Sequence, residues 1–303
     1  MGHRAPESGI IWTKTREGWL GWQASVTLRL GRRPVTAPGY ATFPARLPTR
    51  RVQVVAALWL AVRVETTGGA VSWDGAVNAW HVAGRVYRMG RREWLTEAGW
   101  RQAHDDGVRT VVDLRNSREA RRRDTDPAVA EEAWSGIRIV SAPTEEPDDP
   151  RLTAVCGPYL NDPAHYLHNV LLYPAKFVEV FRAVGSGAAE AGAVVIHCAA
   201  GRDRSGMVAA MLQDLTGDSD QLIADGYAKA ARGINERFRT HGPPHAGERY
   251  VDDAELTPLL ERRGRTVVEF VRELDTRTFL LRNGLSEAEL GAVLSLLGSR
   301  VAP

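Results

Sequence analysis

Cysteine is almost missing from this chain: Cys156 and Cys198 are its only two in 303 residues. Two cysteines do not make a disulfide framework, and a reducing, cytoplasmic setting is expected. Long apolar runs are missing too. The longest, 52–62, contains Gln53 and is closed by Arg51 and Arg63. A membrane-crossing helix needs about 20 apolar residues, so no integral membrane segment is expected. Residues 1–6 lack an apolar run behind a basic start, so a signal peptide is not expected, and Pro6 stands where a myristoylation motif needs Ser or Thr. Charge of one sign is scarce as well. A net charge of +2 gives no bulk electrostatic reason to bind nucleic acid or a membrane surface. There is no repeat of fixed period and no low-complexity tract. What is present, 44% hydrophobic and 25% charged residues, suits a globular chain of one large domain or two small ones.

Residues 1–70 differ from the rest, with scattered Arg, Pro, Gly and isolated Trp and no sustained period. They are expected to be an irregular N-terminal extension, disordered or lying upstream of a true start near Val71. From there strands and helices alternate. Residues 85–88 read as a strand. Thr96 is placed to cap a helix through Trp100 to His104, and Gly107 separates that helix from a strand at 108–114. A further strand covers 137–140. Phe177, Val180, Phe181 and Val184 mark a helix within 173–191, before the breakers Gly185 and Gly187. The continuous apolar run 193–196 suits a fully buried central strand. One helix runs from Ser205 to Gly217, and another, capped by Asp218 or Ser219, continues to Phe238. Ser286-Glu287-Ala288-Glu289 is a capping box. The pattern predicts an α/β fold with a central, mainly parallel sheet flanked by helices. Residues 71–250 form that domain, and 251–303 form a helical C-terminal extension packed on it.

The informative stretch is Val194-Val195-Ile196-His197-Cys198-Ala199-Ala200-Gly201-Arg202-Asp203-Arg204-Ser205-Gly206. A buried strand delivers a cysteine, a loop of small residues follows, and a helix opens at Ser205. Backbone N–H groups of such a loop converge on one point, and the helix N-terminus adds about half a positive charge. That makes a cradle for a dianion, formed by Ala199, Ala200, Gly201, Arg202 and Ser205. The same field favours a thiolate at Cys198, a nucleophile that needs no separate base. Arg204, six residues beyond, brings a planar fork that pairs with two phosphoryl oxygens, which Lys cannot do. Ser205 is placed to hydrogen-bond the departing thiolate. The alternative for these residues is a buried structural cysteine at a strand end, with solvated arginines.

His-Cys-Ala-Ala-Gly-Arg-Asp-Arg-Ser-Gly resembles the phosphate-binding loop of the protein-tyrosine-phosphatase superfamily. More narrowly, it is similar to that of bacterial atypical tyrosine and dual-specificity phosphatases. Leu95-Thr96-Glu97-Ala98-Gly99 and Val108-Arg109-Thr110-Val111-Val112-Asp113-Leu114-Arg115 resemble the same family, and the likeness covers about residues 75–240. It implies the cysteine phosphatase fold, Cys198 as nucleophile, Arg204 as phosphate clamp and Asp203 as general acid within the loop. Arg202 stands where the subgroup has a substrate-binding Lys, and Ser205 replaces the commoner Thr. The family's Asn-Phe-Arg-Asp segment is matched only loosely by Asn78-Ala79-Trp80-His81.

Elsewhere in the superfamily the acid sits on a separate loop upstream of the cysteine, and Asp162 is placed for that role; its other reading is an Asx-Pro turn. His165 and His168 share one helix face without a third metal ligand nearby. Asp113 and Arg115 read as a structural ion pair at the site edge. Arg121-Arg122-Arg123 reads as a solvated face with some capacity to steer anions. Tyr227 and Lys229 have no expected catalytic role. Cys156 reads as an inert core thiol, with disulfide protection of Cys198 as the alternative. The expected reaction is two-step hydrolysis of a phosphate monoester through phosphocysteine, without metal or cofactor. The substrate is a phosphorylated protein, foremost on tyrosine, with phosphoserine, phosphothreonine or a phosphoinositide as alternatives. The rival readings are a non-catalytic phospho-binding module and a sulfur transferase.

Overall fold

The structure, a computed structural model, describes residues 10–14, 20–30, 33–42, 69–158, 160–245 and 247–298. It divides into two compact units, Met1–Glu65 and Thr66–Pro303. In the first, β1 (Ile10–Lys14), β2 (Leu20–Leu30) and β3 (Arg33–Thr42) form an antiparallel sheet in the order β1-β2-β3. These three strands fall within residues 1–70, the stretch expected to be an irregular extension. Trp22, Ala24, Val26, Leu28 and Leu30 alternate with Gln23, Ser25, Thr27 and Arg29, which is the period of a strand. Pro34 and Pro38 obscure the next strand, which tolerates them as an edge. The apolar run 52–62 lies outside the described residues.

The second unit is built on a five-stranded sheet in the order β4-β5-β8-β6-β7. Its strands are β4 (Trp80–Ala83), β5 (Val86–Met89), β6 (Val108–Asp113), β7 (Arg138–Ser141) and β8 (Ala193–His197). Only β4 runs antiparallel, against β5; the other pairings are parallel. β4 falls on the segment that the sequence shows only as a loose Asn-Phe-Arg-Asp match. β8 is the central strand, and all five of its residues are buried. Its β-branched run suits a strand covered on both faces.

Helices α1 (Glu97–Asp105), α2 (Pro150–Cys156), α3 (Tyr166–Leu172), α4 (Pro174–Ser186), α5 (Arg204–Thr216) and α6 (Asp220–His241) connect and cover the sheet. Thr96 caps α1, accepting from the Gly99 N–H, and Ser219 rather than Asp218 caps α6 through the Leu222 N–H. α5 ends at Gly217 in the left-handed region, where glycine carries no Cβ penalty. α7 (Asp253–Leu274), α8 (Thr276–Arg282) and α9 (Glu287–Leu296) follow, α9 with the expected capping box. These helices share the main core: Val267, Phe270, Leu280 and Leu290 are buried in one cluster with Phe177, Ile196 and Met211. Among the described residues no helix is long and apolar enough to cross a membrane.

Parallel pairing sets up the site. Met89 and Asp113 both lie opposite His197, so β5, β8 and β6 end together. The segments leaving these C-terminal ends open one cleft, the usual place for a ligand in such a sheet.

Candidate active site

His197 closes β8, and residues 198–203 turn tightly into the N-terminus of α5. Four successive carbonyls of that turn are tied to the scaffold. Ala199 O accepts the Arg91 N–H at 3.2 Å, and Ala200 O accepts Asn78 Nδ2 at 2.9 Å. Gly201 O and Arg202 O both accept Arg88 Nη2, at 2.8 and 3.0 Å. In a trans peptide the N–H points opposite to its C=O. With these carbonyls anchored outward, the following amides face the inside of the turn, where Cys198 lies. Gly201 has φ +71, and a Cβ there would sit 2.6 Å from Gly90 N. Only glycine lets the loop press so close to the end of β5.

Cys198 is 2% exposed, with Sγ 3.5 Å from Ser205 Oγ. Arg204 presents its two Nη atoms to Glu119, with Nη2 donating to Oε1 at 2.8 Å, while Nη1 lies 3.4 Å from Glu145 Oε1. Glu119 thus holds the guanidinium in place by its far end. Burial alone would push the Glu119 carboxyl up, but the Arg204 hydrogen bonds bring it below its ordinary range. Glu145 behaves oppositely: burial and the neighbouring Glu119 outweigh Arg204 and push it up. The cleft over these groups encloses about 860 Å³.

Asp203 is buried, its Oδ1 accepting the Tyr166 hydroxyl at 3.1 Å and its Oδ2 accepting Arg202 Nε at 2.8 Å. The rest of the Arg202 guanidinium donates to Glu248, with Nη2 at 2.6 Å from Oε1. Two carboxylates therefore occupy Arg202. Beneath the loop, Arg115 is 1% exposed and bridges Asp113 and Glu93 through both ends of its fork. His197 Nε2 approaches Asp113 Oδ2 at 3.4 Å. Burial opposes ionisation of Asp113, yet Arg115 and His197 hold it well below the usual carboxylate range. The structural ion pair expected between Asp113 and Arg115 is present.

The sequence matches the profile described as "Tyrosine phosphatase family" over residues 69–294. The chain belongs to the tyrosine phosphatase family. It is similar to a Cupriavidus necator protein assigned as a tyrosine-protein phosphatase, 27% identical over 227 residues, covering 72% of this chain and 79% of that protein. Among solved structures it is similar to TpbA of P. aeruginosa at 18% identity, covering 73% of this chain and 98% of that one with a TM-score of 0.33. It is also similar to the Siw14 catalytic core at 15% identity, covering 70% of this chain and 96% of that one, again with a TM-score of 0.33. As a member of the family the chain is a cysteine-based phosphatase, a phosphoric monoester hydrolase.

In this tyrosine phosphatase the fold gathers Cys198, Ala199, Ala200, Arg202, Asp203 and Arg204 at one cleft, while Gly201 and Ser205 support the turn from behind. Asp162 is elsewhere. It caps a 3-10 turn at Pro163–His165 through the Ala164 N–H and pairs with Arg263 at 2.8 Å, the Asx-Pro turn of its second reading. Cys156 is buried at the end of α2, and burial together with Glu145 pushes its thiol up to about 11, as an inert thiol requires. Tyr227 is buried beside Arg263, and Lys229 lies over the Trp80 ring.

Sequence reading passed over Glu119 and Glu145, gave Asn78 only a loose match to a family segment, and gave Arg88 only a place in a strand. Arg88 carries a readable signal, a charge inside an otherwise apolar strand. Glu119 and Glu145 follow the ends of β6 and β7 by six and four residues, where loop acids are too common to single out.

Proposed function

We propose that this phosphatase acts on phosphotyrosine in proteins, with Cys198 attacking phosphorus, Arg204 and the loop amides holding the equatorial oxygens, and phosphocysteine as the intermediate. One observation carries the reading: four outward-tied carbonyls turn the amides of the loop toward the buried sulfur of Cys198, with Arg204 closing the ring. Charge on a loose, metaphosphate-like transition state is what such an array stabilises. In the first step the S–P bond forms as the ester P–O bond breaks, and the leaving oxygen takes a proton. In the second, water adds to phosphorus and the thiolate leaves, with the Ser205 hydroxyl within reach of the sulfur. A cytoplasmic, reducing setting suits a nucleophile that must stay unoxidised. Neither nucleic acid nor a membrane segment is part of the reading. Phosphoserine, phosphothreonine and phosphoinositides are the alternative substrates; Arg202, the cation expected beside Arg204 for a polyanionic head group, is already paired twice.

Asp203 supplies the proton, as its place in the loop implies; its ion pair with Arg202 has to loosen when substrate enters. A specific observation favours a second donor. Glu145 lines the same cleft, is pushed up by burial, and touches Asn169 Nδ2 at 3.4 Å. A general acid contributes about 10²–10⁴-fold, and the loss is greatest for poor leaving groups. Turnover of an alkyl and an activated aryl phosphate by Asp203→Asn and Glu145→Gln tells the two apart. Selective loss on the alkyl ester in Asp203→Asn supports the loop acid, and the same pattern confined to Glu145→Gln transfers the role. Release of inorganic phosphate from phosphotyrosyl peptides, abolished in Cys198→Ser, tests the reading as a whole. Retained hydrolysis by that variant would end it.

A further inference from the structure

The acidic and basic walls of the cleft are not equivalent. On one side, Asp148, Asp149 and Glu146 each meet a cation of their own, Arg118, Arg151 and Lys176. On the other, Arg91, Arg123 and Arg237 line the cleft around Trp94. Arg91 is fixed beside the catalytic loop by its N–H bond to Ala199 O. Its guanidinium is consumed, with Nη2 on Asp126 Oδ2 at 2.6 Å and Nε on Glu93 Oε2 at 3.3 Å. Asp126 Oδ2 also accepts the Arg123 backbone N–H at 2.8 Å. Arg237 reaches in from α6 and stacks on Trp94, its Cζ 4.0 Å from the ring centroid. Among the described residues neither Arg123 nor Arg237 forms an ion pair through its side chain.

Both nearby carboxylates, Asp126 and Glu93, are taken up by Arg91, which leaves Arg123 and Arg237 without an ion pair of their own. Burial and then the neighbouring Arg91 and Arg123 push Arg237 below the ordinary arginine value, against Asp126. Like charges held together in a half-buried wall repel unless an anion comes between them. Stacking on Trp94 leaves the edges of the Arg237 guanidinium, which carry its N–H donors, directed away from the ring. Arg123, last of the three-arginine run, is exposed as expected for that run and also lines the cleft.

We infer that Arg123 and Arg237 bind a second phosphoryl group of the substrate, next to the one under attack at Cys198. In a protein substrate this is a second phosphorylated side chain close to the phosphotyrosine. The inference rests on the proposed reading of the Cys198 loop as the site of hydrolysis. It predicts a preference for doubly phosphorylated segments that singly phosphorylated ones do not share.

The experiment compares phosphotyrosyl peptides of one sequence carrying one phosphate or two, at spacings of one, two and three residues, with phenyl phosphate as the reference for catalysis. At one spacing or more, kcat/KM for the doubly phosphorylated peptide should exceed that for its single counterpart by roughly tenfold or more, through a lower KM. Arg123→Gln/Arg237→Gln should bring that ratio to within about twofold. In the unmodified protein, raising ionic strength from about 0.05 to about 0.5 M should erode the ratio, since exposed charge pairs are screened. A ratio near one at every spacing, or one that survives in the double variant, overturns the inference. Calorimetry on Cys198→Ser with the same peptides separates the two levels. A doubly phosphorylated preference in binding without turnover of any ester by the unmodified protein upholds this site and sinks the catalytic reading.

Discussion

Asn78 is the residue on which the bracing of the Cys198 loop can be tested by subtraction. Its side chain spans two segments far apart in sequence, donating to Ala200 O at 2.9 Å and to Ala230 O at 2.8 Å. It is buried and holds φ +56, a conformation that Asn adopts more readily than Ala. A Cβ at Gly233 would collide with Asn78 Oδ1, so α6 is shaped around it. Asn78→Ala removes two hydrogen bonds of about 0.5–1.5 kcal/mol each and adds about 1 kcal/mol of backbone cost. The sum is roughly 2–4 kcal/mol, which for a unit of this size lowers Tm by about 4–16 °C. Asn78→Gly recovers the backbone part and should melt between the two. Because Ala200 O is released, turnover should fall in both variants more than Tm alone explains at a temperature where each is folded. Thermal melts followed by near-ultraviolet circular dichroism, with phosphate release from an aryl phosphate at 20 °C, provide the readouts. An Asn78→Ala protein that melts within 2 °C of the original and turns over normally would refute the bracing argument.

Four further outcomes are expected. Gly201→Ala forces a Cβ against Gly90 N and a positive φ onto alanine, so a soluble variant should lose most activity, measured as kcat on an aryl phosphate. Asp113 has a depressed folded-state value, so its stabilisation is fully present above the unfolded value of about 3.9 and is lost as pH falls through the folded one; Asp113→Asn should flatten the acid limb of a Tm-against-pH curve. Glu145 is raised, so its contribution is present below the unfolded value of about 4.3 and is lost as pH rises through the folded one; Glu145→Gln should raise Tm at pH 7 and change it little at pH 4. With its thiol pushed up to about 11, Cys156 should remain unmodified by iodoacetamide at pH 7 in the folded protein, as peptide mapping will show, and Cys156→Ala should retain full turnover.

The strand-loop-helix around Cys198 was legible because its signals are local. A β-branched run, small residues in a turn and a helix start all lie within thirteen consecutive residues, and backbone preferences act over such distances. The same holds for the Thr96 cap and the capping box at Ser286. The alternation in β2 was equally local but was masked by the prolines and glycines around it. What the sequence determined by itself, then, was the α/β pattern, the buried central strand and the strand-loop-helix that carries Cys198. Tertiary structure decided what surrounds them. Parallel pairing of β5, β8 and β6 brings Arg88, Arg91 and Glu119 to the loop from segments 79 to 116 residues away, and α6 adds Arg237. It also decided that Arg202 is neutralised by Asp203 and Glu248 while Arg123 and Arg237 are not. Charge balance at a site depends on distances across the sheet, and one-dimensional spacing does not encode them.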